Sequence, residues 1–151
     1  MVNPVELNTL LVPIDFSPAS LAAFEQAVAL ATGEKPVVIL LHVLDHTLVE
    51  FAEAHAFCTR EEATKRMRER SQQQLDELAA RVAGPVEIDC LVSEGVPFLE
   101  ILAKAADFAV DAIVMGKIGT RGKVEKLLFG STAEKVLRGS NRPVLVLPLT
   151  S

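Results

Sequence analysis

"LNTLLVPIDFSPASLAAFEQAVALATG" (7–33) runs directly into "PVVILLHVL" (36–44), and this pair of segments decides the architecture. Residues 7–15 are a short apolar run closed by Pro13 and Asp15, the pattern of a strand covered on both faces. Residues 17–33 follow with the punctuation of a helix: Ser17 can cap it, Pro18 suits its first position and Gly33 suits its end. Residues 36–44 are β-branched and continuously apolar, a second buried strand. Two buried strands joined by a helix read as a parallel β-α-β unit.

The same alternation continues. "TREEATKRMRERSQQQLDELAARVAG" (59–84) opens on the capping box Thr59-x-x-Glu62 and carries a stripe of Ala63, Met67, Leu75, Leu78 and Val82. "PVEIDCLV" (85–92) alternates Val86, Ile88, Cys90 and Val92, which predicts a strand with one wetter face near a sheet edge. "VPFLEILAKAADFA" (96–109) is a helix, "DAIVMG" (111–116) a strand, "STAEKVLRG" (131–139) a helix and "RPVLVLP" (142–148) a final strand. Residues 45–58, "DHTLVEFAEAHAFC", are compatible with a short amphipathic helix or a flap. The expected fold is therefore α/β: one Rossmann-like domain over 1–151, a doubly wound five-stranded parallel sheet with helices on both faces.

Composition excludes several classes of function. The 151 residues are half hydrophobic and hold seven Phe but no Trp or Tyr, a poor supply of platforms for stacking nucleic-acid bases. No apolar run is long enough to span a bilayer, and "MVNPVELN" shows no signal-peptide pattern, so a cytoplasmic protein without membrane insertion is expected. Cys58 and Cys90 stand alone, as thiols do in a reducing compartment. His46, Glu50, Glu53, His55 and Cys58 fit no standard zinc spacing, and His42, inside an apolar strand, reads as a satisfied core or near-surface histidine rather than a ligand.

Charge and glycine are concentrated in one connection. Residues 116–142 carry seven cations against two anions, a net +5 that leaves −10 on the remainder of the chain. Four of the eight glycines (116, 119, 122 and 130) lie in "MGKIGTRGKVEKLLFGSTAEKV" (115–136). Glycine lets a backbone approach a ligand, and consecutive amides in such a loop form an anion nest. Gly130-Ser131-Thr132 then opens a helix whose first amides lack partners. Ser131-x-x-Glu134 is also a capping box, so a plain helix start is the competing reading. In an open parallel sheet, Asp15 and this connection share the carboxyl edge where ligands bind. Together they suit a polyphosphate, although neither a Walker sequence nor a dinucleotide fingerprint is present.

"VPIDFS", "LLHVL", "DAIVMGKIG" and "FGSTAEKVLRGSNRPVLVLP" resemble the universal stress protein family, in its nucleotide-binding branch, over nearly the whole chain. The resemblance implies ATP, AMP or ADP as ligand, with or without Mg²⁺. Pro13, Ile14 and Asp15 would then hold ribose and adenine, Val43 would offer main-chain contacts to the base, and Met115 would pack beside it. Gly116 and Gly119 would cradle ribose and phosphates, and Gly130, Ser131 and Thr132 would take the phosphate tail. It also implies a homodimer through the C-terminal strand, 143–148, and a regulatory protein partner in a stress response. The alternatives are a weak ATPase, autophosphorylation at Ser131, Thr132 or Thr120, or a dimeric module that no longer takes nucleotide. Two departures stand out: ten residues separate Gly119 from Gly130 where the family has nine, and Ala133 replaces a frequent hydroxyl.

Overall fold

The computed structural model describes residues 4–55, 58–117 and 130–148. Its elements are β1 (Thr9–Pro13), α1 (Pro18–Leu30), β2 (Val37–Asp45), α2 (His46–His55), α3 (Arg60–Ala80), β3 (Glu87–Gly95), α4 (Pro97–Asp107), β4 (Ala112–Gly116), α5 (Ser131–Gly139) and β5 (Val144–Leu147). All strands are parallel and the sheet order is β3-β2-β1-β4-β5. The chain winds outward from β1 to β3, returns beside β1 as β4 and ends at β5, so the reversal of direction falls between β1 and β4.

Side-chain alternation divides the core into two layers. Leu10, Val12, Ile14, Val38, Leu40, Leu44 and Val92 pack with α1, α2 and α3. Leu11, Ile39, Leu41, Ile113 and Met115 pack with α4 and α5. Both layers include completely buried leucines, which is why β1 and β2 read as continuous apolar runs.

The local signals resolve as follows. The Ser17 hydroxyl accepts from the Ser20 amide at 3.2 Å and caps α1. Thr59 and Glu62 form the reciprocal capping box. Val96 gives α4 no side-chain cap. Residues 46–55, left undecided by their sequence, are helical: Asp45 accepts from the Thr47 amide at 3.0 Å at the start of α2, and Val49 is fully buried. The first strand is shorter than its apolar run, five residues rather than nine, and β3 runs on to Gly95 because β2 pairs with it along its whole length.

The two rims of the sheet differ. At β3 the Glu87 amide donates to the Pro36 carbonyl, so odd-numbered residues turn their peptides toward β2 and even-numbered ones turn outward. Two of those outward carbonyls are taken by α3. Arg68 Nη1 donates to Val92 O at 2.7 Å, and Gln72 Nε2 to Cys90 O at 3.4 Å. At β5, among the described residues, no side chain bonds to the strand, and all four of its residues are half-buried.

Candidate functional site

The carboxyl ends of β1 and β4 flank the reversal point, and each is followed by a helix. After β1 the chain turns sharply. Asp15 Oδ1 accepts from the Ser17 amide at 2.9 Å, and Phe16 between them adopts φ +64°, a conformation uncommon for a residue with a side chain. Asp15 itself is exposed, and its second carboxylate oxygen has no hydrogen-bond partner among the described residues.

Behind this turn stands His42. Its Nδ1 lies 2.6 Å from the Ile14 carbonyl oxygen, and its ring is 4.9 Å from the Phe16 ring. A carbonyl only accepts, so the geometry requires the proton on Nδ1. The Ile14 amide meanwhile donates to Leu41 O at 2.8 Å. Both polar groups of the Ile14 peptide are thus engaged within the fold. The side chain of Ile14 is buried in the α1–α3 layer, leaving the second lone pair of its carbonyl as its offering to a ligand.

Val43 is better placed. The Val37 amide donates to Asn8 O and Leu41 O accepts from the Ile14 amide, so odd-numbered residues of β2 turn their peptides toward β1. The β1–β2 register ends at Pro13–Leu41. Two residues further on, the Val43 peptide faces the same way, beyond the end of β1. Val43 and Met115 both pack in the α4–α5 layer, and alternation from Leu11 puts Pro13 on that side too.

Gly116 ends β4 against α1. A Cβ built there would lie 2.8 Å from the carbonyl carbon, carbonyl oxygen and Cβ of Ala19. Its φ is not in the left-handed region, so the missing side chain makes room for a helix rather than for a twist of the backbone. The next residue, Lys117, donates its amide to Leu147 O, and its carbonyl accepts from the Gly130 amide at 2.8 Å. That bond fastens the beginning of α5 to the end of β4.

Gly130, not Ser131, is the N-cap of α5, so the Ser131–Glu134 capping box does not form; Glu134 pairs instead with Arg138 at 2.8 Å. The Gly130 amide is spent on Lys117. The amides of Ser131, Thr132 and Ala133 have no backbone partner among the described residues, as befits a first helical turn. Ser131 is exposed, Thr132 half-buried and Ala133 buried. Gly119 and Thr120 lie outside the described residues.

The structure thus gathers Pro13, Asp15, Val43, Met115, Gly116, Ser131 and Thr132 at one edge of one sheet. The clamp from His42 to Ile14 was not singled out in the sequence as part of the site. Among the described residues, no group of three or more His, Cys, Asp or Glu side chains is placed to hold a metal ion, and no helix is long and apolar enough to cross a membrane.

An open parallel α/β sheet with a helix N-terminus and a carboxylate at its reversal point defines the class of doubly wound proteins that receive ligands at the strand ends. The comparisons narrow this to a family. The sequence profile of the universal stress protein family matches residues 6–148, and the chain belongs to that family. Universal stress protein MJ0577 of Methanocaldococcus jannaschii is 30% identical, the match covering 95% of this chain and 96% of that protein. The solved structure of MJ0577 superposes with a TM-score of 0.84 at 28% identity, covering 97% and 99% of the two chains. At lower identity the fold recurs in a universal stress protein in complex with cAMP (TM-score 0.62, 23% identical, 96% and 99% covered). It recurs again in a universal stress protein family member from Arabidopsis thaliana with AMP bound (TM-score 0.56, 14% identical, 95% and 93% covered).

Proposed function

We propose that the crevice at the carboxyl ends of β1, β2 and β4 binds an adenine nucleotide, ATP foremost, and that the protein serves a stress response as a nucleotide-dependent binding protein. The observation that carries this reading is the Lys117–Gly130 hydrogen bond, which holds the start of α5 beside the carboxyl end of β4. Three amides there without a backbone partner among the described residues, with the hydroxyls of Ser131 and Thr132, suit a phosphate group, and the helix dipole adds about 0.3–1 kcal/mol for an anion. The Val43 peptide, past the end of β1, offers an N–H and a C=O to a base edge. The outer oxygen of Asp15 suits the hydroxyls of a ribose. Ala133 contributes an amide but no hydroxyl, a deficit of about 0.5–1.5 kcal/mol against a chain that has one.

Nucleotide complexes of two proteins with the same fold support the choice of an adenine ligand. The β5 rim, which has no further strand beside it among the described residues, supports association through residues 143–148 into a homodimer, since an unpaired strand edge is a template for another. Acid extraction of the purified protein followed by chromatography, with calorimetry of added ATP and Mg²⁺, tests the reading. Release of adenine nucleotide or saturable heat is expected; neither being seen would refute it.

A further inference from the structure

We infer that His42 is a positioning residue for the base: it keeps the Val43 amide free by drawing off the carbonyl that amide would otherwise bond, a role that rests on the nucleotide reading above and deepens it. A parallel ladder repeats its hydrogen bonds at a fixed offset. Here the Val37 amide donates to Asn8 O, and the register runs unbroken from Thr9–Val37 to Pro13–Leu41. Six residues further along both strands, the same offset sets the Val43 amide against Ile14 O. The Ile14 amide makes its half of this rung, donating to Leu41 O at 2.8 Å. The other half is missing: no hydrogen bond joins the Val43 amide to Ile14 O, and the register stops at Pro13–Leu41. His42 Nδ1 has taken the carbonyl instead, at 2.6 Å.

The side chain wins because of the face it stands on. Leu40 and Leu44 pack in the α1–α3 layer, and alternation puts His42 between them on that side, its ring 4.9 Å from that of Phe16 in the same layer. Nδ1 therefore draws the Ile14 carbonyl out of the sheet, away from the Val43 amide. Among the described residues, neither the N–H nor the C=O of Val43 then has a backbone partner on the β1 side. An N–H beside a C=O matches the edge of adenine, where N1 accepts and the C6 amine donates. With the missing rung closed, only the C=O would remain, and the base would lose one of two bonds.

The test uses three variants. His42→Leu keeps an apolar side chain but cannot donate; His42→Gln places its nitrogen where Nε2 was; His42→Asn places one where Nδ1 was. Amide hydrogen exchange without nucleotide reads the rung directly. In wild type and His42→Asn the Val43 amide should exchange faster than that of Leu41, and in His42→Leu and His42→Gln it should gain protection. Calorimetry then compares ATP with its 1-deaza analogue, which has C–H in place of N1. Wild type and His42→Asn should prefer ATP. His42→Leu and His42→Gln should lose about two- to tenfold in ATP affinity, the worth of one neutral hydrogen bond, and with it the preference. A Val43 amide already protected in wild type, or no better protected in the two loss variants, overturns the role. So do equal losses for both nucleotides, or a His42→Asn that behaves as His42→Leu does; either would mark His42 as a packing residue. A wild type that binds neither nucleotide refutes the nucleotide reading and any role at a base with it, whereas a wild type that binds ATP with every variant unchanged refutes the role of His42 alone.

Discussion

Gly116→Ala separates packing from ligand access. The added Cβ would meet three Ala19 atoms at 2.8 Å, while carbon atoms pack best at about 3.5–4.0 Å. Each contact is therefore short by about 0.7 Å or more. None of the three atoms can rotate aside, since two belong to the α1 backbone and the third is a Cβ fixed to it. Either α1 or the end of β4 must move, and overpacking of this kind costs about 1–3 kcal/mol. In a chain of this length each kcal/mol lowers the melting temperature by about 2–4 °C, so a fall of roughly 2–12 °C is expected. Urea unfolding with a common m-value, alongside a thermal scan in the absence of nucleotide, measures it. A variant with wild-type stability would refute the packing argument. If that same variant bound ATP poorly, the glycine would serve the ligand, as its place in the glycine-rich connection first suggested.

Two further predictions concern ionisable groups. The Thr47 hydroxyl and then its amide hold the Asp45 carboxyl below its ordinary range, so the stability this cap gives α2 is present above about pH 4 and lost as the pH falls through the lower native value. The α2 amide signals should shift toward coil in acid before the rest of the spectrum, and Asp45→Asn should remove that early step; simultaneous loss in both proteins would contradict the assignment. Burial, reinforced by Asp76, pushes the Cys90 thiol up to about 11. Its neutral form is favoured in the fold, so that contribution is intact below about pH 8.5 and disappears as the pH rises toward the native value. Iodoacetamide at pH 8 should leave Cys90 unmodified in the native protein and label it in urea, and rapid native labelling would count against this.

The parts of the fold legible in the sequence are those fixed by burial and local capping. β1, β2 and β4 are covered on both faces and show as uninterrupted apolar runs, while β3 betrays its outer position by alternating. Thr59 and Ser17 announce helix starts because a cap acts within three residues. Residues 46–55 resisted because Val49 alone is buried on α2, too little to set a helical period. Ser131 looked like a cap, but the preceding Gly130 takes that place once its amide is drawn to Lys117. The site is legible in its residue types and illegible in its pairings. His42 meets Ile14 across 28 positions only because β2 aligns with β1 in one register. A contact of that sort depends on where two distant strands slide to rest, which no periodicity along one strand encodes.

Under the proposed pairing through residues 143–148, the dissimilar rims of the sheet also bear on how many copies can join. Arg68 and Gln72 occupy two of the outer carbonyls of β3, those of Val92 and Cys90, which makes that rim less open to strand addition than β5. A monomer with one reactive end cannot propagate a chain: the first encounter consumes the end on both participants, and growth stops at a pair. Stripping those two α3 side chains would open the β3 rim as well, and a sheet with two open rims could extend into filaments.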